Sequence, residues 1–288
     1  MLVQKVDQSF VSPSLPIYDP SAMDKAVAAI PGLNVWLEAS PDYFQLTPGD
    51  TLDAWVSRID GRRFERLLPA STRPDIFPSG SGRALHFERD NSGVPLRPVG
   101  TLKAEDDAPL LSASGKPMTV AVLTRMPPEG TESPYGDATS YSGVVVGTAY
   151  ASSGDLGWFQ LTQRTTGNQR VYHQSGGTVL INTTTVLNDN VWHYSVYSYD
   201  PDTNTAVMRT DGVEVGRNTN VTEEIATDPR ARVLRIGGAK DGTSGVGIFV
   251  GNIGGVFNVQ DNALHLPANS AHLAALEAKL AAMKAALT

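Results

Sequence analysis

The sequence predicts an all-β sandwich or barrel with an N-terminal arm and a C-terminal α-helix. Three observations predict it. From Leu33 to about Asn262, short runs rich in Val, Ile, Tyr, Phe and Thr are separated by Gly, Pro, Asn and Asp. Within these runs apolar and polar residues alternate with the two-residue period of a strand. After about residue 270 the composition turns abruptly to the strong helix formers Ala, Leu, Lys and Glu.

Residues 1–30 read as an arm. Pro13, Pro16 and Pro20 lie among polar residues, followed by a helical phrase from Ser21 to Ile30 that Ser21 caps and Pro31-Gly32 ends. The body, 31–266, is the sandwich, with strands over Pro117–Thr124, Gly143–Gly147 and Gly157–Thr162. From Trp192 to Tyr199, Trp192, Tyr194 and Val196 point one way, and His193, Ser195 and Tyr197 the other, so one face is expected in the core. Asp200 to Asn204 cannot continue a central strand, because Pro201 lacks the ladder donor and the Asx side chains bond their own backbone. A strand over Thr205–Thr210 then meets Asp211-Gly212, a pair that tolerates φ > 0 in a type I′ hairpin, and Val213–Val215 returns antiparallel. Residues 267–288 form the helix. Its Leu273, Leu276, Leu280, Met283 and Leu287 step by threes and fours into one stripe, suited either to pairing with another helix in an oligomer or docking contact or to packing on its own sandwich.

Bulk properties exclude several functions. A formal net charge of -7 offers no broad basic face for a phosphate backbone, so no nucleic-acid partner is expected. With no Cys there is no disulfide, thiolate metal site or cysteine nucleophile. The opening Met1–Asp7 places charges where a secretory signal needs an apolar run, and no segment is apolar enough for a membrane span, so a soluble protein is expected.

Several phrases together carry a family resemblance. They are Asn34-Val35-Trp36-Leu37-Glu38-Ala39-Ser40, then Asp53-Ala54-Trp55-Val56-Ser57-Arg58, Arg73-Pro74-Asp75 and Arg83-Ala84-Leu85-His86-Phe87-Glu88. The Trp192-His193 meander, Val233–Gly238 and the closing Gly251–Val259 follow in order. The whole resembles the concanavalin A-like lectin/glucanase superfamily in its laminin-G-like branch, with an opening like that of bacterial and phage members. The resemblance implies a jelly-roll-like antiparallel β-sandwich; this fold hosts lectins, hydrolases and structural modules alike. The 1–30 arm has no counterpart in it.

Catalytic signatures are lacking. The superfamily's glucanases carry Glu-x-Asp-x-x-Glu on one strand; here Glu105-Asp106-Asp107 begins the pattern, but Leu110 takes the second glutamate's place and Pro109 disfavours a central strand, leaving a solvated acidic loop. The five His residues show no metal-ligand spacing, and no serine elbow or phosphate cradle is present. Binding needs less: the loop Met126 to Tyr141 is rich in Gly, Pro and Ser and carries Tyr135, Asp137 and Tyr141, the candidate ligand-binding residues. No cofactor is expected. Calcium is common in the superfamily, but ligands from separate loops leave no sequence pattern, so none are assigned.

The function expected from the sequence is a non-enzymatic bacteriophage virion component, such as a head-decoration, fibre or minor structural protein. It would be made in the host cytoplasm and carried on the particle against capsid or tail proteins. A homo-oligomer, a trimer before a dimer, is expected through the arm or the leucine stripe. The alternative is a carbohydrate-binding module for a host-surface glycan, with glycoside hydrolysis further behind.

Overall fold

The computed structural model describes residues 21–48, 51–66, 74–90, 97–99, 101–128, 142–148, 159–164, 166–173, 179–221, 229–238 and 249–288. In chain order these form α1 (Ala22–Ala28), β1 (Leu33–Glu38), β2 (Phe44–Leu46), β3 (Leu52–Val56), β4 (Arg63–Arg66), β5 (Asp75–Ser79) and β6 (Gly82–Asp90). There follow β7 (Arg97–Val99), β8 (Leu102–Ala104), β9 (Met118–Arg125), β10 (Ser142–Gly147), β11 (Phe159–Arg164), β12 (Gln169–His173) and β13 (Val179–Asn182). The chain closes with β14 (Trp192–Asp200), β15 (Thr205–Thr210), β16 (Val213–Asn218), β17 (Arg235–Ile236), β18 (Gly251–Gln260) and α2 (Ser270–Leu287).

The strands make two antiparallel sheets, the sandwich that the alternation predicts. The first runs β16-β15-β14-β9-β18-β6-β5, with β1 also on β18 and β7 on β6. β6 pairs with the start of β18 and β1 with its later part, so the two lie end to end along one side of that strand. The second sheet runs β13-β12-β11-β10-β17-β8-β4-β3-β2. Between the sheets lies the main core, built on Leu85, Phe87, Val120, Val122 and Tyr197 from the first and Trp55, Phe64, Phe159, Leu161 and Ile236 from the second. The hairpin is as expected: Asp211 and Gly212 have φ of 48° and 81°, the left-handed pair of a type I′ turn.

One expectation changes here. β14 is buried on both faces, not one: Tyr197 and Tyr199 enter the main core, whereas Trp192, Tyr194 and Val196 enter a second core with both helices. Alternation shows which residues share a face but does not show that a helix covers the other face. Of the arm, residues 21–30 are described. Its helix α1, capped by the Ser21 hydroxyl accepting from Asp24 N at 3.1 Å, is docked, with Val27 and Ile30 buried in that second core.

Helix α2 covers the outer face of the first sheet. Leu276, Leu280, Met283 and Leu287 are buried there with Trp36, Ala84, Leu123 and Phe257, and Leu273 packs against them. Close approach requires small residues beneath: a Cβ on Gly254 would stand 2.5 Å from Leu287 Cδ1, and one on Gly255 would stand 2.5 Å from Met283 Cε. Polar ties reinforce the packing, Arg209 Nε–Glu277 at 2.7 Å and Lys284 Nζ–Asp211 at 2.9 Å. Among the described residues no helix is long and apolar enough to cross a membrane.

Candidate functional site

The covered half of the first sheet's outer face is held by charges that neutralise one another. Arg58 Nη2 reaches Asp24 of α1 at 3.0 Å, and Arg58 Nη1 bonds Glu38 of β1. Lys279 of α2 lies 3.0 Å from both of those carboxylates. The Arg58 guanidinium is stacked 4.1 Å from the centre of the Trp36 ring. Burial pushes the Asp24 carboxyl up, but hydrogen bonds from Lys279 and Arg58 more than offset this and hold it below its ordinary value. Two cations facing two anions around a tryptophan make a clamp between α1, β1 and α2.

Where α2 ends, the same face changes character. Leu287 lies against Gly254, and two residues earlier on β18 stands Asn252. The sheet register lines up Asp75, His86, Asn252, Arg125 and Trp192 on five adjacent strands. Beside this row, on edge strand β5, Phe77 is 40% exposed. The Arg125 guanidinium carbon is 5.3 Å from the Phe77 ring centre and 5.5 Å from that of Trp192, so two aromatic rings flank the cation. With the Asn252 amide oriented to satisfy both neighbours, its oxygen accepts from Arg125 Nε at 3.2 Å and Nη2 at 3.1 Å, and its nitrogen donates to His86 Nδ1 at 2.9 Å. Burial holds Arg125 below the ordinary arginine value.

The platform rests on the helix end. Trp192 Nε1 donates to Ser79 Oγ at 3.0 Å, and that hydroxyl donates to Leu287 O at 2.5 Å. Ser81 N and Oγ both donate to Ala286 O, at 3.0 and 3.1 Å. The β5–β6 hairpin that carries Phe77 is thereby fixed to the last turn of α2, satisfying carbonyls that a helix end leaves over. A part-exposed ring beside a guanidinium, an amide and an imidazole can stack one face of a sugar and hydrogen-bond its hydroxyls.

Other polar groupings are better explained as structure. A cleft of about 550 Å³ is lined by Pro31, Asn34, Gln260, Asp261, Asn262 and Asn269 among others. Its amides are engaged with the protein: Asn34 Nδ2 donates to Leu110 O and Gln260 Oε1, Asn262 Nδ2 to Pro31 O, and Asn269 Nδ2 to Asn262 Oδ1. His193 is held by Asp211 at 2.7 Å and Asp189 at 3.1 Å, and the Asp211 hydrogen bond is foremost in raising its pKa. The run Glu105–Asp107 is the exposed turn after β8, with Lys103 on Asp107 and Arg62 on Asp106. Among the described residues no three His, Asp or Glu side chains gather as a metal ion needs.

The sequence-based candidates fare unequally. Tyr135, Asp137 and Tyr141 lie outside the described residues. Leu273, Leu276, Leu280, Met283 and Leu287 are brought together against their own sheet, the second of the two uses their spacing allows, rather than left open for docking. The Phe77–Arg125 site was not among the candidates. Its available signal was Pro78 next to Phe77, which marks an edge strand carrying an aromatic residue.

A two-sheet sandwich with one face covered by helices and aromatic and polar groups at that face's free end is a lectin-like module. The chain belongs to the concanavalin A-like lectin/glucanases superfamily, whose model matches residues 102–264, more than half its length. Among solved structures it is similar to domain 4 of AbnA, a GH43 extracellular arabinanase from Geobacillus stearothermophilus, in complex with arabinotriose: TM-score 0.53, 14% identity, 84% of this chain and 98% of that one. It is also similar to the binding domain of Paraclostridial Mosquitocidal Protein 1, with TM-score 0.51 and 12% identity over 85% of this chain and 52% of that one. No curated protein matches it in sequence.

Proposed function

We propose that the chain is a non-catalytic carbohydrate-binding module, whose glycan stacks on Phe77 and hydrogen-bonds to Arg125 and the Asn252–His86 pair. The observation that carries this reading is the exposed Phe77 ring beside a guanidinium oriented by an amide. An aromatic platform with convergent polar groups on a rigid sheet is the arrangement that sugar recognition needs. The similar arabinanase domain was solved in complex with arabinotriose, which favours a glycan for this fold over other ligand classes. The test is a glycan array followed by titration calorimetry on wild type and Phe77→Ala. Binding weakened about tenfold or more by the substitution, with an unchanged circular dichroism spectrum, is expected, since loss of one stacking ring removes ~1–2 kcal/mol. Silence across the array, or binding indifferent to Phe77, overturns the reading.

Where the module works is a separate proposal, motivated by the phage-like phrases near the start of the sandwich: it is carried on a bacteriophage particle as a homo-oligomer. Its absence from purified virions by mass spectrometry, or a monomeric mass in light scattering, would defeat that placement.

A further inference from the structure

Resting on the reading of the Phe77 site as a glycan site, we propose that the glycan carries a carboxylate and that Arg125 grips it. The described arginines differ in how their charge is met. Arg58, Arg209 and Arg217 each bond a carboxylate, from Asp24 and Glu38, from Glu277 and from Glu214. Arg125 makes no ion pair among the described residues; its polar partner there is the neutral Asn252 amide. A cation partly withdrawn from water without a counter-charge is costly, and aromatic faces return only part of the lost hydration. Among the described residues an amide orients the guanidinium without neutralising it, which leaves the charge for a ligand.

Geometry selects the kind of anion. Phe77 and Trp192 lie near the guanidinium and Asn252 occupies Nε and Nη2, so the N–H donors left over belong mainly to Nη1. Donors in the guanidinium plane suit the planar fork of a carboxylate. The exposed Asp75, on the strand that carries Phe77, forms no ion pair with Arg125. Its charge, with a net charge of -7 on the whole chain, disfavours a densely charged polyanion. A sugar chain with isolated carboxylates, stacked on Phe77 and anchored at Arg125, satisfies both constraints.

The experiment uses the full chain and a panel of acidic oligosaccharides bearing uronic or nonulosonic acids, each paired with its carboxyl-reduced and its sulfated counterpart. Titration is performed at two salt concentrations on wild type, Arg125→Gln, Arg125→Lys and Phe77→Ala, with circular dichroism confirming the fold of each. The expected result is at least tenfold tighter binding of an acidic form than of its reduced counterpart, weakened by salt. Arg125→Gln should erase that difference, and Arg125→Lys should keep part of it. Equal binding of acidic and reduced forms, both lost in Phe77→Ala, would overturn the carboxylate assignment and leave the glycan reading standing. Preference for the sulfated forms would overturn the assignment in the same way. No binding of any member would overturn both.

Discussion

Arg58, from the turn after β3 of the second sheet, and Arg125, on β9 of the first, each hold a guanidinium near a tryptophan of the first sheet, and they differ in how that charge is met. Arg58, stacked on Trp36, touches two carboxylates and shares them with Lys279. Arg125, between Trp192 and Phe77, meets an amide. The first arrangement is internally balanced and closed by helices; the second, among the described residues, has no carboxylate and lies beside a part-exposed ring. Aromatic–arginine stacking therefore does not identify function by itself. The sum of charge around the stack separates a structural clamp from the site proposed for a ligand.

The contrast can be broken at several points. The largest effect is expected from Leu280→Ala, which hollows the helix–sheet layer beneath the clamp at a fully buried position; a loss of about 2–5 kcal/mol in urea unfolding is expected. A loss under 1 kcal/mol would mean that α2 is not part of the cooperative fold. Next, Arg58→Ala leaves Asp24 and Glu38 facing one another with Lys279 alone between them, and the expected cost is roughly 2–4 kcal/mol. Arg125→Ala, by contrast, removes no ion pair among the described residues and is expected to shift unfolding by less than about 1 kcal/mol. Equal destabilisation by the two arginine substitutions would erase the distinction drawn between the sites.

The smallest effect concerns pH. His193 is raised above its ordinary value, first by the Asp211 hydrogen bond and then by Asp189. Its contribution is fully present below the unfolded histidine value near 6.5 and is lost as pH rises through the higher folded value. Being partly exposed, the pair is worth only a few tenths of a kcal/mol. A stability difference between wild type and His193→Gln that shrinks from about pH 6 to pH 8 is expected, and one that grows would contradict the assignment.

Much of the architecture was legible because its cues are local. The Asp211-Gly212 turn, the Pro201 break and the run of helix formers after residue 270 each act within a few residues, and each element appears where those cues place it. What sequence could not show was which surface meets which. The stripe from Leu273 to Leu287 has the spacing of a helix pair, yet two adjacent glycines on β18 let it settle on the sheet instead. The site was hidden for the same reason. Phe77, Arg125 and Asn252 come from three strands distant in sequence, and only the sheet order β5-β6-β18-β9 brings them together. The Trp36 and Glu38 of the opening family-like phrase, conspicuous in the sequence, belong to the clamp.

The final carbonyls of α2 join the helix–sheet layer to the surface that carries Phe77. Ser79 passes the hold of Leu287 on to Trp192, and Ser81 passes that of Ala286 on to the hairpin bearing Phe77. Fraying of that last turn would cost Ser79 and Ser81 their carbonyl partners. Shortening the helix by two residues would remove Leu287 from the buried layer together with the acceptor of Ser79, so packing and the Phe77 surface are coupled there.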